Sequence, residues 1–255
     1  MYQRQFRIGG QLTPAVKILI IINIGVFLLQ LVAKLLFNSQ LDAPGLLDYL
    51  FGLSHAGIEN LFLWQPFSYM FLHDGFLHLF FNLFALWMFG GELERNWGGK
   101  VFSRFYLLAG LGAGLCITLA NWLLVMRWPA FRSVPTVGAS GAIYGLLLAY
   151  GMLWPNREVM LYFLFPVKVK YLVLGYGAIE FFGTMSTFAG TPGRVSHTAH
   201  LGGLLAGLIL MLLMRRSSSP AVKVKTGGKE NFLARLLRTR RLKRKRKVIE
   251  ERIQA

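Results

Sequence analysis

The chain has 255 residues, of which 55% are hydrophobic, yet its formal net charge is +17 and its mean hydropathy is positive. That combination excludes an ordinary soluble domain of this length. A single cysteine, Cys116, excludes an internal disulfide, so the fold rests on packing alone.

The apolar residues come in long runs broken by short polar stretches, as in helices sized to a bilayer. Six spans are predicted: Val16–Phe37, Phe67–Phe89, Val101–Val125, Ser140–Trp154 with a continuation to Phe165, Val167–Phe182 and Ser196–Met214. Arg4 and Arg7 precede the first, as in a signal peptide. Its apolar stretch is long for one and no small-x-small cleavage site follows, so it is read as a retained helix. Lys17 and Lys34 near its ends, and Trp64, read as interface anchors.

Lys and Arg positions set the topology. Asn38 to Gln65 contains no Lys or Arg but holds Asp42, Asp48 and Glu59. The connection after the second span holds Arg95, Lys100 and Arg104, and the one after the fourth holds Arg157, Lys168 and Lys170. Fifteen of the 28 Lys and Arg residues lie from Arg215 onward. This alternation places both termini in the cytoplasm, with Arg127, Arg132 and Arg194 as outside exceptions.

Three polar groupings interrupt the apolar spans, where such residues are costly. In His73-Asp-Gly-Phe-Leu-His78-Leu-Phe-Phe-Asn82, His78 and Asn82 are spaced i, i+4 and project from one helix face. In Gly138-Ala-Ser140-Gly141-Ala-Ile-Tyr144-Gly145, Ser140 opens a span and Tyr144 lies one turn below. The third grouping is Ser196-His197-Thr-Ala199-His200-Leu-Gly202-Gly203, followed by Gly207. The second, fourth and sixth spans run in the same direction, so His78, Ser140 and His200 fall at similar depth near the outer surface. Gly141 and Gly145, like Gly203 and Gly207, are spaced for close helix approach, which a Ser–His hydrogen bond across two helices requires. Taken singly, each motif is ordinary packing, and His55, His73 and His197 read as side chains that satisfy a neighbour. Glu180 in the fifth span is expected to pair locally or face the outer boundary.

Together these residues resemble the rhomboid proteases over roughly residues 15 to 215. The matching motifs are H-x-x-x-N at His78–Asn82, G-x-S-G at Gly138–Gly141 and A-H-x-x-G-x-x-x-G at Ala199–Gly207, with a similar Gly91-Glu92 turn. The resemblance implies an all-α membrane protein, a six-transmembrane-helix rhomboid-like bundle, acting as an intramembrane serine endopeptidase. Ser140 would be the nucleophile, His200 the general base and Tyr144 the ring that packs on the imidazole. His78, Asn82 and the Ser140 backbone N–H would form the oxyanion hole. A neutral imidazole can take the serine proton and return it to the leaving amine, and fixed donors stabilise the charge on the carbonyl oxygen. No acidic residue occupies an obvious triad position, so a dyad is expected, oriented by packing. Asn38 to Gln65 departs from the family pattern in lacking the Trp-Arg pair that many bacterial relatives carry in the first loop.

Substrates, by the same resemblance, would be single-span membrane proteins, cut near the outer surface where their helix unwinds; a regular helix hides its scissile carbonyl. Gly183 to Arg194 is a candidate mobile cap over the site. The chain divides into a membrane domain, residues 1–215, and a basic cytoplasmic tail, residues 216–255. On the tail, Phe232, Leu233, Leu236 and Leu237 precede the basic run Arg238 to Lys247, which reads equally as an amphipathic helix on anionic headgroups and as a basic tail that only sets topology. No cofactor, no metal and no nucleic acid are expected. The setting expected is a bacterial inner membrane. Two other classes fit less well: a non-catalytic relative that binds membrane proteins, against which Ser140 and His200 argue, and a proton-relay transporter, which would show an inverted repeat and has no use for a GxSG turn.

Overall fold

The computed structural model describes residues 12–37, 45–161, 165–190 and 196–216. The basic tail, and residues 191–194 of the expected cap, lie outside the described residues.

Helix α1 spans Pro14–Phe37. Its free first-turn N–H groups are met by Glu94, which accepts from the backbone of Ala15 and Val16, both at 2.9 Å, and from the Thr13 hydroxyl. Lys34 is no interface anchor. It is buried, with Nζ 3.6 Å from Asp48 of the following segment.

Three short helices follow: α2 (Leu46–Phe51), α3 (His55–Glu59) and α4 (Gln65–Ser68). The loop that lacks an arginine is tied down by other groups. Buried Gln65 accepts from Ser54 N–H at 3.1 Å and donates to the Tyr49 carbonyl at 3.0 Å. Trp64 donates to the Leu50 carbonyl at 2.8 Å, and Glu59 pairs with Arg132 at 2.8 Å.

The second span does not begin at Phe67. A 3-10 turn over Tyr69–Phe71 gives way to extended backbone at Leu72 and Gly75, and helix α5 (Phe76–Ala85) starts only there. It continues through a π-helical stretch, Leu86–Gly90, into α6 (Gly91–Trp97), so Gly91-Glu92 lies within helix rather than in a turn. Helix α7 (Gly99–Arg127) follows, its face of small residues, Ala109, Gly110, Ala113 and Gly114, buried in the bundle.

Helix α8 (Ser140–Leu153) is central; none of its residues is exposed. The expected continuation to Phe165 is absent, because Pro155 cannot extend the helix. Strands β1 (Glu158–Leu161) and β2 (Phe165–Lys168) instead form an antiparallel hairpin, with Glu158 opposite Lys168. At 14 residues, α8 is only about 21 Å long, shorter than the hydrocarbon core. The chain before it bridges Thr136 to Leu53. The start of α8 lines a cavity among the other helices.

Helix α9 (Val169–Phe188) starts after Val167, which belongs to β2, and runs past Phe182, taking in the first residues of the expected cap. Helix α10 (His197–Arg216) closes the bundle. Among the described residues, four helical segments are long and apolar enough to cross a membrane: Pro14–Phe37, Phe76–Trp97, Gly99–Arg127 and His197–Arg215. With the shorter apolar α8 they make a helical membrane protein with a small β-hairpin, and four of the six expected spans meet the length and hydropathy of a crossing helix. Ile18, Leu29, Leu119, Phe182 and Leu213 present apolar side chains outward, as a lipid-facing surface does.

Candidate active site

Ser140 is the first residue of α8 and His200 lies in the first turn of α10. His200 Nε2 stands 2.7 Å from Ser140 Oγ. Glycines make that approach possible. A Cβ at Gly203 would fall 1.9 Å from the Gly141 carbonyl oxygen, and one at Gly207 would fall 2.8 Å from Gly145 Cα. The two helices thus touch backbone to backbone. Tyr144 lies flat on the His200 ring, with centroids 4.3 Å apart and planes within 8°.

The turn into Ser140 depends on Gly138. Its φ of +128° lies where side chains are strained, and a Cβ would fall 2.7 Å from His78 Cε1 and Nε2. Its N–H donates to the Tyr69 carbonyl at 2.9 Å.

Ser140, His200, His78, Asn82, Tyr144 and His197 all line one cavity of about 1320 Å³. His78 stands in the first turn of α5, with Nδ1 3.1 Å from Asp74. This hydrogen bond holds the Asp74 carboxyl below its ordinary range. With Nδ1 so engaged, Nε2 offers a proton only in the doubly protonated ring. Asn82 is one turn further in, and its amide donates to the His78 carbonyl at 2.9 Å, within its own helix. The expected oxyanion donors therefore share the cavity with Ser140, but the Asn82 amide is turned to backbone.

His55 pairs with Glu59 at 3.4 Å in the first loop. His73 is buried, its ring edge-on to His78 at 5.1 Å. Its backbone N–H donates to Gln30 at 3.0 Å, but neither ring nitrogen has a hydrogen-bond partner among the described residues, so the side chain does not satisfy a neighbour as expected. Among the described residues, no group of three or more His, Cys, Asp or Glu is arranged to hold a metal ion.

Glu180 departs most from expectation. It neither faces the boundary nor pairs within its own turn; it points into the site from α9. Its Oε1 accepts from the Tyr144 hydroxyl at 2.5 Å and lies 3.0 Å from His200 Nδ1, while Oε2 lies 2.7 Å from His197 Nδ1. The His200 contact has the separation of an ion pair but not the alignment of a hydrogen bond, since Nδ1 has no hydrogen-bonded partner. A usable signal was present in the sequence: an acid near the outer end of the fifth span, and two histidines near the outer start of the sixth, on helices joined by a short connection.

Residues 60–217 match the Rhomboid domain family. The chain is 30% identical over 186 residues to Rhomboid-like protein 11, chloroplastic, of Arabidopsis thaliana, covering 65% of this chain and 60% of that protein. It is 31% identical to Rhomboid protein 1, mitochondrial, of Saccharomyces cerevisiae, covering 54% of this chain and 38% of that protein. It is 30% identical to Rhomboid protease GluP of Bacillus subtilis, covering 56% of this chain and 24% of that protein. The match thus spans 60% or less of each relative's length. With organelle and bacterial proteins alike among them, the relatives do not single out a bacterial inner membrane.

Proposed function

Because the chain belongs to the rhomboid family, we propose that it is an intramembrane serine endopeptidase using Ser140 as nucleophile and His200 as general base. The observation that carries this reading is the 2.7 Å separation of His200 Nε2 and Ser140 Oγ at the start of α8.

In the first half-reaction the Ser140 hydroxyl proton passes to His200 Nε2 as Oγ attacks the scissile carbonyl carbon. The carbonyl oxygen takes up the negative charge, and the Ser140 backbone N–H, a doubly protonated His78 and Asn82 stabilise it once the Asn82 amide turns from its helix toward the cavity. The Nε2 proton then goes to the leaving amine, the C–N bond breaks and an ester forms on Ser140. In the second half-reaction His200 takes a proton from water, whose oxygen attacks that ester. Ser140 regains its proton as the carboxylic product leaves. Tyr144 restricts the imidazole to one orientation by stacking.

Named protease relatives support this activity. The substrates proposed are single-span membrane proteins, whose helix must unwind to present a carbonyl to a serine that lines a cavity among the helices. The membrane domain is taken as residues 1–215, the basic tail as residues 216–255, either on anionic headgroups or setting topology alone, and both termini as cytoplasmic. The test is covalent: purified protein in detergent labels with a fluorophosphonate, Ser140→Ala does not, and chelators leave cleavage intact. Equal labelling of the two proteins removes Ser140 as nucleophile.

A further inference from the structure

Glu180 is a buried acid in contact with Tyr144, His197 and His200 that the dyad chemistry leaves unused. Its side chain is only 4% accessible, and a carboxylate in an apolar bundle persists only with partners. Those partners come from two other helices: Tyr144 of α8, and His197 and His200 of α10. From α9 itself, Tyr176 turns its ring edge to Tyr144 at 6.0 Å.

We propose that Glu180 is a positioning residue for His200, holding the proton on Nδ1 and compensating the positive charge that forms when Nε2 takes the Ser140 proton. This rests on the role proposed above for the Ser140–His200 pair. A carboxylate only accepts, so an oxygen 3.0 Å from Nδ1 favours the tautomer with hydrogen on that nitrogen and leaves the Nε2 lone pair toward Ser140 Oγ. The contact is not aligned as a hydrogen bond, so its effect is mainly one of charge, and Coulomb attraction needs no alignment. During the reaction Glu180 stays ionised; the proton moves from Oγ to Nε2 and on to the leaving amine, never to the carboxylate.

The same oxygen that faces Nδ1 receives the Tyr144 hydroxyl at 2.5 Å, so ring and shelf are fixed to one point. His197 holds the other oxygen at 2.7 Å. It anchors the carboxylate rather than the serine.

Two pairs of variants matched in shape and differing in charge separate this role from a packing role: Glu180→Gln against wild type, and Glu180→Asn against Glu180→Asp. The full chain in detergent is measured for Ser140 labelling rate, for kcat and KM on a labelled single-span substrate, and for thermal midpoint. Glu180→Gln is expected to lower kcat and the labelling rate by roughly 10- to 1000-fold, with KM and midpoint little changed. Glu180→Asp should label at least about tenfold faster than Glu180→Asn. Wild-type rates in Glu180→Gln, or equal rates in the Asp and Asn variants, would overturn the role of charge while leaving Ser140 and His200 in place. So would activity lost only together with a cooperative melt in both neutral variants, which would make Glu180 structural. Labelling that survives Ser140→Ala would overturn the dyad and this assignment together.

Discussion

His197 Nδ1 lies 2.7 Å from Glu180 Oε2, and that pairing turns the His197 ring toward α9 and away from the nucleophile. Gly183 makes the room: a Cβ there would fall 2.4 Å from His197 Cγ. His200, three residues on, faces Ser140 instead.

The two histidines should therefore separate by mutation. His200→Ala is expected to abolish cleavage of a transmembrane substrate, while His197→Ala retains a measurable part. A gel-based cleavage assay reads both. An active His200→Ala beside a dead His197→Ala would move the base to His197.

Asn82→Ala should lower turnover by roughly ten- to a thousandfold, at or below the usual loss for one oxyanion donor, in a protein that still folds and labels. In the resting structure the amide serves the His78 carbonyl, so the loss tests whether it turns to the substrate. Unchanged turnover would leave Asn82 as a residue of the helix only.

Gly203→Ala should destabilise the bundle by about 1–3 kcal/mol or more, because the added methyl meets backbone that cannot rotate away. Labelling of Ser140 should fall with it, since the same contact sets the dyad distance. Gly25→Ala on α1 is the control: nothing lies within 4 Å of its Cβ position, and a helix-interior alanine should gain about 0.5–1 kcal/mol. Thermal melts in one detergent compare them, and equal midpoints would contradict the backbone contact.

A reporter fused after Ala255 should be cytoplasmic and one inserted near Leu46 external, by the Lys and Arg asymmetry of the loops. The opposite placement would turn the cavity mouth toward the cytoplasm.

Much of the site could be read from residue spacing. Ser140, His200, Tyr144 and the paired glycines stand out as polar and small residues at turn spacing within apolar spans, and their roles follow from the resemblance. What escaped needed three dimensions. The break at Leu72–Gly75, which delays α5 to Phe76, falls on His73-Asp74-Gly75, which the apolar residues on either side make read as polar positions within one span. The β-hairpin after Trp154 reads as a helix extension until Pro155 is weighed against the apolar run that follows. Glu180 was misread because its three partners lie on other helices, at distances in sequence that no local pattern joins.

The backbone contact between α8 and α10 also bears on how related chains should be read. Nucleophile and base stand on separate helices whose spacing is set where Gly203 meets the Gly141 carbonyl. A chain that kept serine and histidine but carried a branched residue at the position of Gly203 would hold the two helices apart by the width of that side chain. Its serine would then be out of reach of its imidazole. The presence of both reactive residues is thus an incomplete criterion for telling active members from inert ones, and the glycine facing them is the third letter of the signature.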